Sequence, residues 1–243
     1  ERLNAARRNI SGLKSLEQGA LRVVSMPGPS FLLVPGITAR LTRESTRTKV
    51  QILSRSSAQV RQLIATQSYD VGIVDRGAEA PGDTRLVQAE PFGVHHLCAL
   101  PADDPLARQD RIAPADLDGR PLATLLDQHR ATAALRALFS AAGARLNLRY
   151  QAQFYLPLMT FVEHGLAVAI VDVLSAESWC RMRGAPPDTI VFRPVTPDVI
   201  LDCAILTPAQ RPSSRLAQAF VEAWRAEVAE IEARWARSGF QSP

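Results

Sequence analysis

Short apolar runs alternate with helical patterns through the first third of the chain. Residues 21–25, 49–54 and 69–75 are predicted as strands, and residues 31–42 and 57–68 as helices, from the spacing of their apolar residues. The run at 69–75 is nearly continuous in apolar residues, which is typical of a strand covered on both faces. This β-α-β-α-β order predicts a parallel α/β sheet with right-handed crossovers.

A second α/β set follows a strand predicted at residues 93–101. Further strands are predicted at 121–126, 146–151, 166–171 and 201–208, and further helices at 129–142, 156–164 and 213–235. Two similar halves, joined by strand-like passes at 93–101 and 200–206, predict two lobes with a cleft between them. In open α/β sheets a ligand binds beyond the carboxyl ends of the strands.

Composition places the chain in a broad class. The 243 residues are 47% hydrophobic and 21% charged, with a formal net charge of +4. These values are typical of a soluble globular protein, and the mild basicity does not by itself indicate a nucleic-acid surface. No apolar run approaches the roughly 18 residues of a membrane span, and the N-terminus lacks the apolar core of a signal peptide. The sequence therefore predicts a cytoplasmic protein.

Thiol and imidazole spacing gives no sign of a metal or catalytic site. Cys98, Cys180 and Cys203 are far apart and form no Cys-x-x-Cys pair, which favours buried reduced thiols over a disulfide frame or a zinc site. His95 and His96 are adjacent on a predicted strand and point to opposite faces, so they cannot easily share one metal. The nucleophile elbow, the phosphate-binding loop and the His-Glu-x-x-His motif are all missing from the sequence. We expect no enzyme, no cofactor and no metal.

The first strand ends in a turn rich in hydroxyl and proline residues. Ser25, Met26 and Pro27 follow the apolar run, and Ser30 lies three residues further on. Hydroxyls and backbone amides at the start of the next helix would suit a carboxylate, so these residues are candidate ligand contacts. The alternative is that Ser25 or Ser30 simply caps the helix.

The second strand ends in another hydroxyl-rich segment, Ser54-Arg55-Ser56. Arg55 could pair with a carboxylate through two parallel hydrogen bonds. A solvated surface arginine is the commoner outcome for such a residue, and that alternative stays open.

Asp75 and Asp172 each terminate a strongly apolar strand, one in each half of the chain. If both halves face one cleft, both carboxylates point into it and would attract an ammonium or guanidinium group. The alternative is that each carboxylate caps the next turn or pairs with a nearby arginine, such as Arg76 beside Asp75.

Aromatic and amide side chains follow a strand of the second half. Phe154 and Tyr155 lie directly before the predicted helix at 156–164 and could form an aromatic wall against an aliphatic ligand stem. Gln153 and Gln151 would supply adaptable amides nearby. Core packing is the competing role for Phe154.

The order of these landmarks resembles the effector-binding domain of LysR-type transcriptional regulators. The segments that carry the resemblance are GALRVVS, YDVGIVD, HHLCALPADDPLA, EHGLAVAIVD and RPSSRLAQAFVEAW. Their joint order and spacing extend over residues 16–230, nearly the whole chain. The sequence is most similar in appearance to the branch that responds to opines and basic amino acids.

The resemblance implies an α/β fold of the type 2 periplasmic-binding-protein class, with two Rossmann-like lobes joined by two crossover strands. Lobe I would comprise 19–96 and 204–235, lobe II would comprise 97–203, and 1–18 would be the end of a linker helix. It also implies a small effector in the cleft, no catalysis, and a homodimer or homotetramer. The DNA-binding winged helix-turn-helix of the family is absent from this chain and would belong to the full-length protein.

Two alternatives belong to other functional classes. A stand-alone solute-binding protein of a transport system would share the fold, and an enzyme on the same fold would need convergent catalytic groups. For the oligomer surface we expect exposed apolar residues on helices of the first lobe, with Leu63 and Ile64 as candidates. Core packing is the alternative for these two residues.

Overall fold

A computed structural model describes residues 19–76, 85–183 and 189–237. The chain divides into two compact units. Unit 1 contains the described residues up to Phe92 together with Cys203–Glu227, and unit 2 contains Gly93–Asp202 together with the described residues from Val228 onward. The segment 1–18, predicted as the end of a linker helix, lies outside the described residues.

The division into units differs from the predicted lobes at three places. The first boundary falls after Phe92 instead of after residue 96, Cys203 belongs to unit 1 instead of lobe II, and the end of the last helix belongs to unit 2 instead of lobe I. Two contacts within unit 2 agree with the first and third of these: the His95 Nδ1 atom lies 2.8 Å from a Glu232 carboxylate oxygen, and Trp235 packs edge-to-face on Phe192.

Unit 1 is an α/β unit with a mainly parallel sheet. Its elements are β1 (Ala20–Ser25), α1 (Pro27–Phe31), α2 (Leu33–Thr42), β2 (Lys49–Ser54), α3 (Ser57–Ala65), β3 (Val71–Asp75), the first part of β4 (Val87–Pro101), most of β9 (Ile200–Pro208) and the first half of α7 (Arg215–Arg237). The strands lie in the order β2-β1-β3-β9. β1 is parallel to both β2 and β3, as predicted, and β9 is antiparallel to β3.

Helix α3 packs very closely on the unit 1 sheet. Val60 and Ile64 are fully buried on its inner face, against a core that includes Val74 and Leu206. A Cβ atom placed on Gly72 of β3 would lie only 2.8 Å from the Ile64 side chain. The close approach of helix and strand therefore requires glycine at position 72.

Unit 2 repeats the α/β pattern around a second sheet. Its elements are the rest of β4, β5 (Pro121–Leu125), α4 (Arg130–Ala141), β6 (Asn147–Ala152), α5 (Leu156–Glu163), β7 (Val168–Asp172), α6 (Val173–Arg183), β8 (Ile190–Pro194) and the end of α7, with 3-10 turns at Pro105–Arg108 and Pro114–Leu117. The strands lie in the order β4-β7-β5-β6, with β8 also paired to β4. β5 is parallel to β6 and β7, whereas β4 is antiparallel to β7 and β8.

Several element predictions need correction. The helix predicted at 31–42 begins earlier, at Pro27, and is interrupted at Leu32, where φ is −130°. Proline fits the first turn because the N–H groups there have no intrahelical acceptor. Strand β4 begins at Val87, six residues before the predicted start at residue 93. Helix α6 and strand β8 were not predicted, and the first eight residues of α6 are all buried, so they show no helical alternation of polar and apolar residues.

The residues proposed for an oligomer surface pack in the core of unit 1. Ile64 is fully buried and Leu63 is partly buried against the same cluster, so the core-packing alternative is correct for both. Cys98, Cys180 and Cys203 are buried thiols outside any disulfide, as predicted. Burial raises the pKa of both Cys98 and Cys180 to about 12. Among the described residues, no helix is long and apolar enough to cross a membrane.

Candidate ligand-binding site

The carboxyl ends of β1, β2 and β3 meet at one edge of the unit 1 sheet. Ser25, the last residue of β1, is in register with Ser54 of β2 and Ile73 of β3. The Arg55 backbone N–H donates to the Ser25 carbonyl at 3.0 Å. Parallel pairing therefore brings three of the predicted segments together at this edge.

The turn after β1 is fixed by its own hydrogen bonds. The Met26 N–H donates to the Ile73 carbonyl at 2.9 Å, and the hydroxyls of Ser25 and Ser30 donate to the carbonyls of Met26 and Pro27. Met26 is the residue that precedes helix α1, and no side chain caps that helix, so neither serine is the cap. Pro27 carries no N–H, and the Met26 N–H already has an acceptor. Ser25 is fully buried and Ser30 is half-buried, so the Ser30 hydroxyl is the more accessible of the two to a ligand.

The segment after β2 combines a cap with exposed polar groups. The Ser56 hydroxyl accepts a hydrogen bond from the Gln59 backbone N–H, and the Gln59 side chain accepts one from the Ser56 N–H, which together form a capping box at the start of α3. Ser54 and Arg55 are exposed. The Arg55 guanidinium donates to the Ser54 carbonyl at 2.8 Å.

Asp75 ends β3 with a half-buried carboxylate. Its backbone N–H donates to the Ser57 hydroxyl at 3.2 Å, and the Arg61 guanidinium donates to its carbonyl oxygen at 3.5 Å. No described residue donates a hydrogen bond to the Asp75 carboxylate itself. Within the described residues the carboxylate therefore neither caps a turn nor forms an ion pair.

Asp172 occupies the equivalent strand end in unit 2, where it is buried. One carboxylate oxygen accepts from the Ser175 backbone N–H at 2.8 Å and the other from the Ser175 hydroxyl at 2.7 Å. These contacts satisfy donors in the first turn of α6, so Asp172 caps that helix. The capping alternative is correct here, and a capping carboxylate still has lone pairs for a further donor.

The aromatic pair follows β6 in the same unit. Tyr155 is 5% exposed and directly precedes helix α5, whereas Phe154 is half-buried and Gln153 is exposed. Gln151 lies within β6, where its amide donates to the Leu125 carbonyl at 3.1 Å and to an Asp127 carboxylate oxygen at 3.0 Å.

His96 lies next to two of the predicted residues of unit 2, Asp172 and Tyr155, and was not among the predicted site residues. It lies opposite Asp172 in the β4–β7 register, and its Nε2 atom is 3.4 Å from the Tyr155 hydroxyl. His95 contacts Glu232 instead, which confirms that the two imidazoles point in different directions. The alternation of side chains along a strand predicted that the two imidazoles point to opposite faces. Nothing in the sequence showed which of them is buried.

A groove of about 830 Å³ lies within unit 1 and is lined by residues of β4, β9, the loop after β9 and α7, none of which is a predicted site residue. Two arginines line it, and both are paired with carboxylates: Arg211 with Asp70, and Arg225 with Glu90. The described residues contain no group of three or more side chains placed to hold a metal ion.

The chain matches the family model described as the LysR substrate binding domain over residues 14–229. It belongs to this family. The chain is 27% identical over 209 residues to the regulatory protein NocR of Agrobacterium tumefaciens strain T37. That alignment includes 86% of this chain but only 66% of NocR, so the LysR domain spans just under two thirds of that relative's length.

Two solved structures are similar in fold. The regulatory domain of CcmR from Synechocystis PCC6803, in complex with 2-PG, has a TM-score of 0.69 at 15% identity over 87% of this chain and 98% of that one. Full-length CbnR, complexed with its target DNA, has a TM-score of 0.66 at 17% identity over 92% of this chain and 74% of that one. The fold is therefore the type 2 periplasmic-binding-protein-like fold of LysR substrate-binding domains.

Proposed function

We propose that this chain is the effector-sensing domain of a LysR-type DNA-binding transcriptional regulator. The match to the LysR substrate binding domain over residues 14–229 carries the proposal. A solved structure of the same fold, that of the CcmR regulatory domain, is a complex with a small molecule, 2-PG. The full-length protein would be a cytoplasmic homodimer or homotetramer that binds DNA through an N-terminal winged helix-turn-helix and has no catalytic activity.

We further propose that the ligand is amino-acid-like or opine-like and carries a cationic group. The observation in support is the half-buried Asp75 carboxylate, to which no described residue donates a hydrogen bond. A partly desolvated carboxylate is stabilised when a ligand supplies an ammonium or guanidinium donor. The hydroxyls of Ser25, Ser54 and Ser56 lie on the segments that end at the same edge and would bind the polar groups of such a ligand.

Calorimetric titration of the isolated chain tests this proposal. The probes are L-arginine, L-lysine and octopine, compared with L-citrulline, which has the shape of arginine without the guanidinium charge, and with succinate. We expect binding of at least one cationic probe, and affinity for citrulline lower by roughly tenfold because one charge-assisted hydrogen bond is lost. If succinate alone binds, the proposed effector-sensing function stands and the proposed cationic ligand is excluded.

Two variants locate the binding site. Asp75→Asn removes the charge with little change of shape and is expected to weaken binding of the cationic probe by about tenfold. Asp172→Asn is the corresponding variant in unit 2, and Asp103→Asn, an exposed carboxylate in a loop of that unit, is the control. Unchanged affinity in both site variants would exclude the proposed role of the two carboxylates.

DNA binding is tested in the longer protein. We expect the segment that precedes Glu1 in the parent gene to encode a helix-turn-helix. The effector found by titration should change the mobility or the footprint of the complex with promoter DNA. A ligand can shift that equilibrium only by binding the two states with different affinity. A parent protein without such a segment would contradict the regulator assignment.

A further inference from the structure

Unit 2 contains a buried imidazole whose second nitrogen has no partner in hydrogen-bond geometry among the described residues. His96 is 6% exposed, and its Nδ1 atom has no hydrogen-bond partner among the described residues. The other nitrogen, Nε2, is 3.4 Å from the Tyr155 hydroxyl, and the two rings meet edge to face at an interplanar angle of 81°. A buried polar atom left unpaired is unfavourable, and such atoms frequently mark functional positions.

His96 lies beside two of the residues predicted to bind ligand in unit 2. Asp172 is its cross-strand partner on β7, and Tyr155 lies at the start of α5. The Asp172 carboxylate is held by Ser175, and His96 is placed to orient the Tyr155 hydroxyl. The three side chains therefore form one cluster, built from β4, α5 and β7.

The charge of this cluster depends on the protonation of His96. Burial lowers the pKa of His96 below 6.5, although the negative charge of Asp172 and the nearby Val199 carbonyl act in the opposite direction. The titratable groups facing the imidazole are Asp172, Tyr155 and the neighbouring His95, which is itself engaged with Glu232. At neutral pH the imidazole is uncharged, and the carboxylate of Asp172 dominates the local potential.

We propose that His96 is a positioning residue that makes the unit 2 site selective for a cationic ligand group. The neutral imidazole holds the Tyr155 hydroxyl and leaves the Asp172 charge uncompensated, whereas the imidazolium would cancel that charge. This inference rests on the proposed function for the ligand class. It goes further by requiring that ligand binding be coupled to proton release from His96.

The coupling has a definite sign. A bound cation disfavours the imidazolium, so affinity for the ligand falls as the pH falls through the titration of His96. Affinity for a dicarboxylate would change in the opposite direction, because a second positive charge would attract it. The guanidinium of L-arginine stays charged throughout this range, so the ligand itself contributes no titration.

The test measures affinity for L-arginine between about pH 5.5 and 7.5 in the wild-type chain and in His96→Gln, which cannot acquire a charge. We expect the wild-type affinity to fall roughly fivefold on acidification and the His96→Gln affinity to stay constant. His164→Gln, which replaces an exposed imidazole, is the matched control and should keep the wild-type profile. Equal pH slopes in wild type and His96→Gln would overturn the proposal while leaving the effector-sensing function intact.

A measurement without ligand tests the role of His96 separately from the proposed ligand class. NMR titration of the His96 imidazole in the free protein should give a midpoint below 6.5, which Asp172→Asn lowers further because the Asp172 charge raises the pKa of His96. If none of the probes binds, the proposed ligand class is wrong, and the His96 titration still decides the charge-setting role. A midpoint at or above 6.5, or one unaffected by Asp172→Asn, would overturn that role even where His96→Gln fails to fold.

Discussion

The two units end their parallel strands in similar sequences but use the terminal carboxylates differently. In unit 1, Asp75 closes β3 with a half-buried carboxylate that no described residue contacts through a hydrogen bond. In unit 2, Asp172 closes β7 as a buried helix cap with two hydrogen bonds from Ser175. The carboxylate at the strand end therefore accepts no hydrogen bond from a described residue in unit 1, whereas it caps a helix in unit 2.

The two units also differ in the helices that begin at these sheet edges, α6 after β7 in unit 2 and α3 after β2 in unit 1. Helix α6 begins at Val173, directly after Asp172, and carries Glu177, whose side chain is only 5% exposed and accepts from three donors. Arg181 donates at 2.6 Å, the Trp235 indole donates at 2.8 Å, and Arg234 contributes a further ion pair. The unit 2 edge is therefore fixed to the end of α7 by buried charge, whereas helix α3 of unit 1 begins with an exposed capping box.

Removal of the Glu177 carboxylate should have the largest effect on stability. Glu177→Ala leaves two arginines and an indole N–H without their acceptor, and we expect the free energy of unfolding to fall by about 3–5 kcal/mol. Urea denaturation followed by tryptophan fluorescence measures it. The control is Glu90→Ala in unit 1, whose ion pair with Arg225 is 45% and 52% exposed. An exposed pair is worth about 1 kcal/mol or less, so equal losses in the two variants would contradict the comparison.

Substitution of the two strand-end aspartates compares the units directly. Asp172→Ala removes the cap of α6 and should lower the free energy of unfolding by roughly 1–2 kcal/mol. Asp75→Ala removes no hydrogen bond from a described residue and should cost less than about 0.5 kcal/mol. The same urea experiment measures both variants. If Asp75→Ala proves as destabilising as Asp172→Ala, the Asp75 carboxylate has a structural partner and its ligand role loses its basis.

The strands and helices were predicted from the sequence more accurately than the roles of the polar side chains. The buried strands β3 and β7 were predicted because such strands appear as nearly continuous apolar runs, whereas β2 was predicted from the alternation of its residues. The candidate residues that follow β1, β2 and β3 were selected because ligands bind beyond the carboxyl ends of such strands. Helix α6 was missed because burial on all sides removes the alternation by which a helix is recognised.

Local sequence did contain one signal that separates the two aspartates. Asp172 is followed three residues later by Ser175, which supplies both donors of the cap, whereas Asp75 has Ala78 at the corresponding position. The burial of His96 could not be predicted in the same way, because the adjacent His95 has identical chemistry. The tertiary structure distinguishes the two imidazoles, because His96 is buried next to Tyr155 whereas His95 contacts Glu232 of α7.

The smallest effect concerns the dependence of stability on pH in unit 1. Burial alone would raise the pKa of Asp70, but hydrogen bonds from the Arg22 backbone and side chain and from Arg211 outweigh burial, so the pKa lies below its usual 3.8. A carboxyl group whose folded-state pKa is depressed adds stability above the unfolded-state value, and that stability is lost as the pH falls below 3.8 toward the folded-state value.

Urea unfolding of the wild type and Asp70→Asn on both sides of this pH range tests the linkage. We expect the wild type to be more stable at neutral pH and the difference between the two proteins to shrink as the pH drops below 3.8, because the protonated aspartic acid then resembles asparagine. Asp103→Asn, which changes an exposed carboxylate, should track the wild type at every pH. A constant difference between wild type and Asp70→Asn would mean that Arg22 and Arg211 bind the neutral amide as well as the carboxylate. In that case Asp70 would act through packing, and unit 1 would have no charge network comparable to that of Glu177 in unit 2.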